Sequence, residues 1–113
     1  MAKRRMFSVD VVCTDDFLSL PATSQALYLQ LGMSADDDGF VANSKTIARA
    51  FYGGAKFLQI LIDCCYLIPF ESGVIVLTHW QLANKVPQER KHPTKFAEEL
   101  SKLISHKDIY TKG

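Results

Sequence analysis

The chain has no apolar run approaching the ~18–20 residues that a membrane span requires, and its first residues, Met1-Ala2-Lys3-Arg4-Arg5, lead into Ser8 and Asp10 where a signal peptide needs its apolar segment. A cytosolic location is therefore expected. Cysteine is sparse: Cys13 stands alone and Cys64 and Cys65 are adjacent, an odd number without the spacings of a disulfide framework. Reduced thiols follow, and Cys64 and Cys65, set in an apolar helical stretch, are expected to be small core residues. No glycine-rich phosphate loop and no nucleophile elbow is present, so the scattered Ser, His and Asp residues form no catalytic pattern. The reading is a non-enzyme without catalytic residues or cofactor.

Metal sites are equally thin. His79, His92 and His106 are far apart and none pairs with a cysteine at zinc-ligand spacing; His79, beside Trp80, is expected to be a packed strand residue. The acidic run from Ser34 to Lys45 has the DxDxDG look of a calcium loop, but aligning Gly39 with its sixth position puts Lys45 where a bidentate glutamate is required. The aspartates are read as a solvated turn, with no metal.

What is present is enough apolar sequence for one core: 48% hydrophobic and 22% charged residues in 113. The net charge of +1 conceals an uneven distribution, +2 over residues 1–13, −5 over 14–40, +2 over 41–70 and +2 over 71–113. Such asymmetry points to one basic side.

The organising stretch is Tyr66 to Trp80, two β-prone runs around Glu71-Ser72-Gly73, which reads as a hairpin. Pro69, which donates nothing to a ladder, has to lie at an edge. Before the hairpin, Met6–Val12 alternates as a short strand or extended arm. Thr14 caps a brief helix that Pro21 closes. Gln25–Met33 reads as a helix with Leu27 and Leu31 on one face and Ala26, Leu29 and Met33 as a second stripe, buried over much of its girth. Asp36-Asp37-Asp38-Gly39 stops it, and Phe40–Ala42 is expected as a strand against the hairpin. Asn43-Ser44 caps a helix over Lys45–Phe51, Gly53-Gly54 breaks the chain, and Ala55–Cys65 forms a second helix with Leu58, Leu61, Ile62 and Cys65 on its core face. A polar loop follows Trp80. From Thr94 a further helix is expected, with Phe96, Leu100, Leu103 and Ile104 as its stripe, ending in a polar tail from Ser105. The predicted class is α+β, mostly α: a winged helix-turn-helix over residues 1–93 and a C-terminal helix and tail over 94–113.

Taken together, MAKRRMFS, SQALYLQLGMSADDDGFV and LIPFESGVIVLTHW resemble the N-terminal domain of phage replisome organisers, a family of replication initiators that includes DnaD-like proteins of Gram-positive bacteria and their phages. The resemblance covers roughly residues 1–95. It implies a winged-helix domain contributing origin DNA binding or self-assembly, with helicase loaders as possible protein partners. Family members carry a further C-terminal domain, whereas this sequence stops at Gly113, as a fragment or a short stand-alone relative.

Lys and Arg hold phosphates irrespective of base sequence. Lys45 and Arg49 are one turn apart on the first helix of the pair; Lys56 and Gln59 open the second, where glutamine can read an adenine edge. Lys3, Arg4 and Arg5 form a candidate groove-reaching arm, Ser72 marks the wing tip, and Lys85, Arg90, Lys91 and Lys95 are candidates beyond the wing. The bland alternative is ordinary surface charge. Against DNA stands the second apolar stripe Phe57, Ile60 and Cys64, which has to be covered by the N-terminal segment, the C-terminal helix or a second subunit. Double-stranded DNA binding is thus the leading expectation, beside a homo-oligomeric assembly module without DNA contact and a transcriptional regulator of the same fold.

Overall fold

A computed structural model of the chain describes residues 6–84 and 93–112. Lys3, Arg4, Arg5, Lys85, Arg90, Lys91 and His92 lie outside the described residues. Seven helices and five strands form among those described, in an α+β arrangement. Two short helices, α1 (Val9–Val12) and α2 (Asp15–Leu18), precede the longest, α3 (Ala22–Ser34). Then come β1 (Phe40–Val41), α4 (Ser44–Ala48), α5 (Gly54–Asp63), the hairpin β2 (Leu67–Pro69) and β3 (Ile75–Leu77), α6 (Trp80–Ala83), α7 (Ala97–Ser101) and a second hairpin, β4 (Leu103–His106) and β5 (Ile109–Lys112). No helix among the described residues is long and apolar enough to cross a membrane.

The first hairpin forms as its turn chemistry dictates. Gly73 takes φ +89° and its N–H donates to the Phe70 carbonyl at 3.0 Å, while Phe70 N–H closes onto Val74 O at 2.9 Å. β3 is central, in the antiparallel order β1-β3-β2, with Phe40 opposite Val76 and Ile68 opposite Val76 on its other side. Phe40–Val41 therefore pairs with the hairpin as expected, and Pro69 does sit on an edge strand. Ile75, Val76 and Leu77 are all buried, so β3 has no solvent face. The hairpin is shorter than its apolar pattern suggested, because Trp80 leaves the strand to begin α6 and His79 becomes that helix's N-cap.

The α4–α5 pair is set by close backbone approach. A Cβ on Gly54 would fall 1.7 Å from the Ala48 carbonyl oxygen, so only glycine lets the start of α5 pack on α4. α5 then buries Leu58 and Leu61 against α3, where the Ser24 hydroxyl donates to the Phe57 carbonyl at 3.1 Å. At the other side of α3, Phe7, Phe17, Tyr28 and Tyr66 form a ring cluster with centroids 5.3–6.0 Å apart, including edge-to-face contacts of Phe17 with both tyrosines. This cluster fastens α1 and α2 to the domain.

Several expectations are corrected. Met6–Val12 is not a strand: the Ser8 hydroxyl accepts from Asp10 N–H at 3.2 Å and starts α1, burying Val11 and exposing Val9. Local side-chain capping outcompeted the alternation. Thr14 does cap α2, accepting from Phe17 N–H. The second stripe of α3 is not buried, since Ala26, Leu29 and Met33 face solvent. Cys65 is not on a helical core face: α5 ends at Asp63, Cys65 takes φ +65°, and both it and Cys64 are exposed. The C-terminal helix shortens to five residues, and the expected polar tail is the hairpin β4–β5, turned by Lys107 and Asp108 at positive φ.

The acidic turn is also not simply solvated. Asp37 and Asp38 are buried. Asp36 Oδ1 accepts from Asp38 N–H (2.9 Å) and Phe40 N–H (3.0 Å), and its Oδ2 accepts from the Thr94 hydroxyl at 2.6 Å. Trp80 Nε1 donates to Asp37 O at 3.1 Å and the buried Tyr110 hydroxyl donates to Asp38 O at 3.0 Å. The turn is an anchor that collects three later segments.

Gly54→Ala is expected to destabilise the fold by more than about 3 kcal/mol, since backbone rather than a side chain tip blocks the new methyl. Gly73→Ala, which meets nothing within 4 Å and suffers only from its φ, is expected to cost about 1–2 kcal/mol. Urea denaturation of the two variants measures the contrast.

Candidate nucleic-acid interface

Asn43, Ser44 and the turn after Ala48 set up a short α4 whose outer face carries Lys45 and Arg49, both exposed. Neither side chain has a hydrogen bond or ion pair among the described residues. Their spacing of four residues places them on one face. Arg49 is the C-cap of α4, so its cation also suits the helix dipole there. Lys56 lies in the first turn of α5, exposed, with Nζ 5.6 Å from the centroid of the Phe57 ring. Gly54 packing brings the start of α5, two residues before Lys56, against the backbone of α4 at Ala48.

Between these residues lies one that the sequence reasoning missed. Tyr52, in the α4–α5 turn, is completely exposed, with a relative accessibility of 101%. An aromatic ring that buries none of its surface in the fold, on a turn held rigid by Gly54, between Arg49 and Lys56, is a ready contact surface for sugar or base. The available signal was a tyrosine directly before the Gly53-Gly54 break.

The remaining candidates are placed differently. Gln59 Nε2 donates to Asp63 Oδ1 at 2.8 Å, so an adenine edge has to compete with an intrahelical carboxylate. The Ser72 hydroxyl donates to Glu99 Oε2 at 2.7 Å, which puts a carboxylate at the tip of the first hairpin beside Glu71 and disfavours phosphate there. Lys95 is exposed, 5.6 Å from the Phe96 ring centroid, on the segment that packs against Phe40. It belongs to the acidic-turn side of the fold and is not joined to α4–α5.

Of the stripe expected at an oligomer interface, Phe57 and Ile60 are half-buried and Cys64 is exposed. Phe57 packs against the core from within the fold. The exposed apolar stripe is instead Ala26, Leu29 and Met33 on α3.

Buried ionisable groups lie elsewhere. Burial pushes the Tyr28 hydroxyl up to about 12, with Tyr66 adding to the shift. Burial also raises Tyr66, reinforced by Asp16 and opposed by a hydrogen bond with Thr14. Burial raises Tyr110 as well, with Asp38 and Asp36 contributing. His79 is half-buried 5.9 Å from the Tyr66 ring, its Nδ1 has no hydrogen-bond partner, and burial lowers its pKa. It stays neutral at pH 7, as a packed histidine. No group of three or more His, Cys, Asp or Glu side chains able to hold a metal occurs among the described residues.

No protein-family model, no curated protein and no solved structure matches this chain.

His79 makes a pH prediction. Its folded pKa lies below the unfolded value of about 6.5, so the unfolded state takes up the proton first as pH falls. The contribution of His79 to stability is therefore constant above about pH 7 and declines as pH drops through 6.5 towards the lower folded value. Denaturant unfolding of the wild type between pH 8 and pH 5.5 should show this decline, and His79→Gln should flatten it.

Proposed function

We propose that this chain is a winged-helix module that binds double-stranded DNA through the α4–α5 pair, in a replication initiator of the phage replisome-organiser kind. The order α3–β1–α4–α5–β2–β3, with β1 pairing on the far side of β3, is the arrangement such a reading calls for. The observation that carries the function is the exposed set Lys45, Arg49, Tyr52 and Lys56 around a turn that Gly54 holds fixed. Among the described residues Lys45 and Arg49 have no hydrogen bond or ion pair, which leaves their charges for phosphates. α5 would approach the groove with its first turn, and Gln59 would exchange Asp63 for a base edge. The first hairpin contributes by packing, since its tip is acidic and Ser72 is engaged by Glu99. The module needs no catalytic group, cofactor or metal for this role.

A second reading rests on the solvent-facing stripe Ala26, Leu29 and Met33 of α3, which suits self-association. It is compatible with DNA binding, because two copies on one duplex gain avidity. Helicase-loading proteins are the partner class that the replication reading brings with it.

Fluorescence-anisotropy titration with a labelled duplex is the direct test. Binding should weaken steeply with salt, and Lys45→Ala with Arg49→Ala should remove two phosphate contacts, lowering the magnitude of the salt slope by about 2 and the affinity at least about tenfold at low salt. Salt-insensitive binding, or binding unaffected by the double substitution, contradicts the assignment. For the second reading, sizing should show a concentration-dependent oligomer that Leu29→Glu with Met33→Glu converts to monomer.

A further inference from the structure

The α4–α5 turn displays one large side chain that the fold itself does not use. Tyr52 is 101% exposed, against 71% for Val9, the next most exposed large apolar residue described. Among the described residues it has no hydrogen bond and no ring contact. Its backbone, by contrast, is fixed on both sides. Phe51 N–H donates to Ala48 O at 3.0 Å, Gly54 N–H to Phe51 O at 3.0 Å and Lys56 N–H to Gly53 O at 3.1 Å. The preceding residue, Phe51, packs against the core. The following one, Gly53, carries no side chain, and a Cβ built there meets only Phe57 Cε2, at 3.5 Å, so the approach beside Tyr52 is open. An accessible ring on a fixed stem gives up little freedom when it stacks on a partner.

The charge and the polar groups of this part of the chain say what the partner is. From Gly39 to Ile62 the sequence has no Asp or Glu, while Lys45, Arg49 and Lys56 are exposed. Arg49 precedes Tyr52 by three residues and Lys56 follows it by four. Phosphates are thus provided for. Base edges are served less well. Gln59 already donates to Asp63 Oδ1 at 2.8 Å, and at the tip of the first hairpin Ser72 donates to Glu99 Oε2 at 2.7 Å. The residues suited to reading an edge are therefore engaged, whereas the ring suited to meeting a base face is open.

In a paired duplex the bases cover one another's faces, leaving edges, sugars and phosphates for a protein to touch. An unpaired base offers a face, and aromatic side chains stack on it whatever its identity. We propose that the α4–α5 site takes duplex DNA interrupted by an unpaired base, with Tyr52 stacked on that base and Lys45, Arg49 and Lys56 holding flanking phosphates. This rests on the DNA reading above and narrows its substrate. Tyr52 sets the preference for unpaired over paired DNA, and the cations supply the affinity common to both.

The test is anisotropy titration of the full chain at low salt with labelled duplexes of one sequence: fully paired, with a single-base bulge, and with an abasic sugar in place of the bulged base. The bulged duplex should bind about fivefold or more tighter than the paired one, and the abasic bulge should bind like the paired duplex. Tyr52→Ala should abolish the preference while leaving paired-duplex affinity within about twofold, and Tyr52→Phe should keep it. Because the ring buries nothing, thermal unfolding of both variants should match the wild type. Equal affinity for paired and bulged duplexes, or for the base-containing and abasic bulges, overturns the proposal, as does a preference that survives Tyr52→Ala. If the paired duplex still binds and is weakened by Lys45→Ala with Arg49→Ala, the DNA reading outlives that failure. If no duplex binds at low salt, both are overturned.

Discussion

The turn at Asp36–Gly39 holds this fold together. One carboxylate, that of Asp36, caps the turn's own N–H groups and takes the hydroxyl of Thr94, while the two carbonyls that follow receive Trp80 and Tyr110. Each bond is of ordinary strength, about 0.5–1.5 kcal/mol net, but together they determine where α6, the segment before α7 and β5 dock. Without them β3 would lose the layer that covers it on the side away from α3 and α5. With them, Tyr110 joins the same apolar cluster as Leu27, Leu61 and Val76. Residues near both ends of the described chain are thereby built into one core.

A second constraint works on the other side of the sheet. Gly54 lets α5 start against the Ala48 carbonyl, and this contact fixes the angle of the turn between them. Tyr52, Arg49 and Lys56 depend on that turn for their placement. The site proposed for DNA is therefore no more than a surface feature of a packing decision made underneath it.

Much of this was legible in the residues. The hairpin around Gly73, the pairing of Phe40–Val41 with it, the edge position of Pro69, the Thr14 cap and the break at Gly53-Gly54 all follow from local chemistry that tertiary context did not override. Three features were not legible, each for a physical reason. The alternation of Phe7, Val9 and Val11 looked like a strand because a one-turn helix started by Ser8 leaves no periodic trace. The aspartates looked solvated because their burial depends on Trp80 and Tyr110, tens of residues away. The tail looked polar because in β5 Tyr110 alone is fully buried, and a single buried side chain gives no pattern. In the candidate site, spacing marked Lys45 and Arg49 correctly as exposed neighbours. It could not show that Ser72 would meet Glu99, or that Tyr52 would stand clear of the fold.

The measurement that tests the central claim most directly is amide chemical-shift mapping of the ¹⁵N-labelled chain on addition of a short duplex at low salt. The account predicts perturbations centred on Lys45, Arg49, Tyr52, Lys56 and Gln59, with Ser72 and Leu67 unmoved. Perturbations confined to other surfaces, or a spectrum unchanged by duplex, would contradict it.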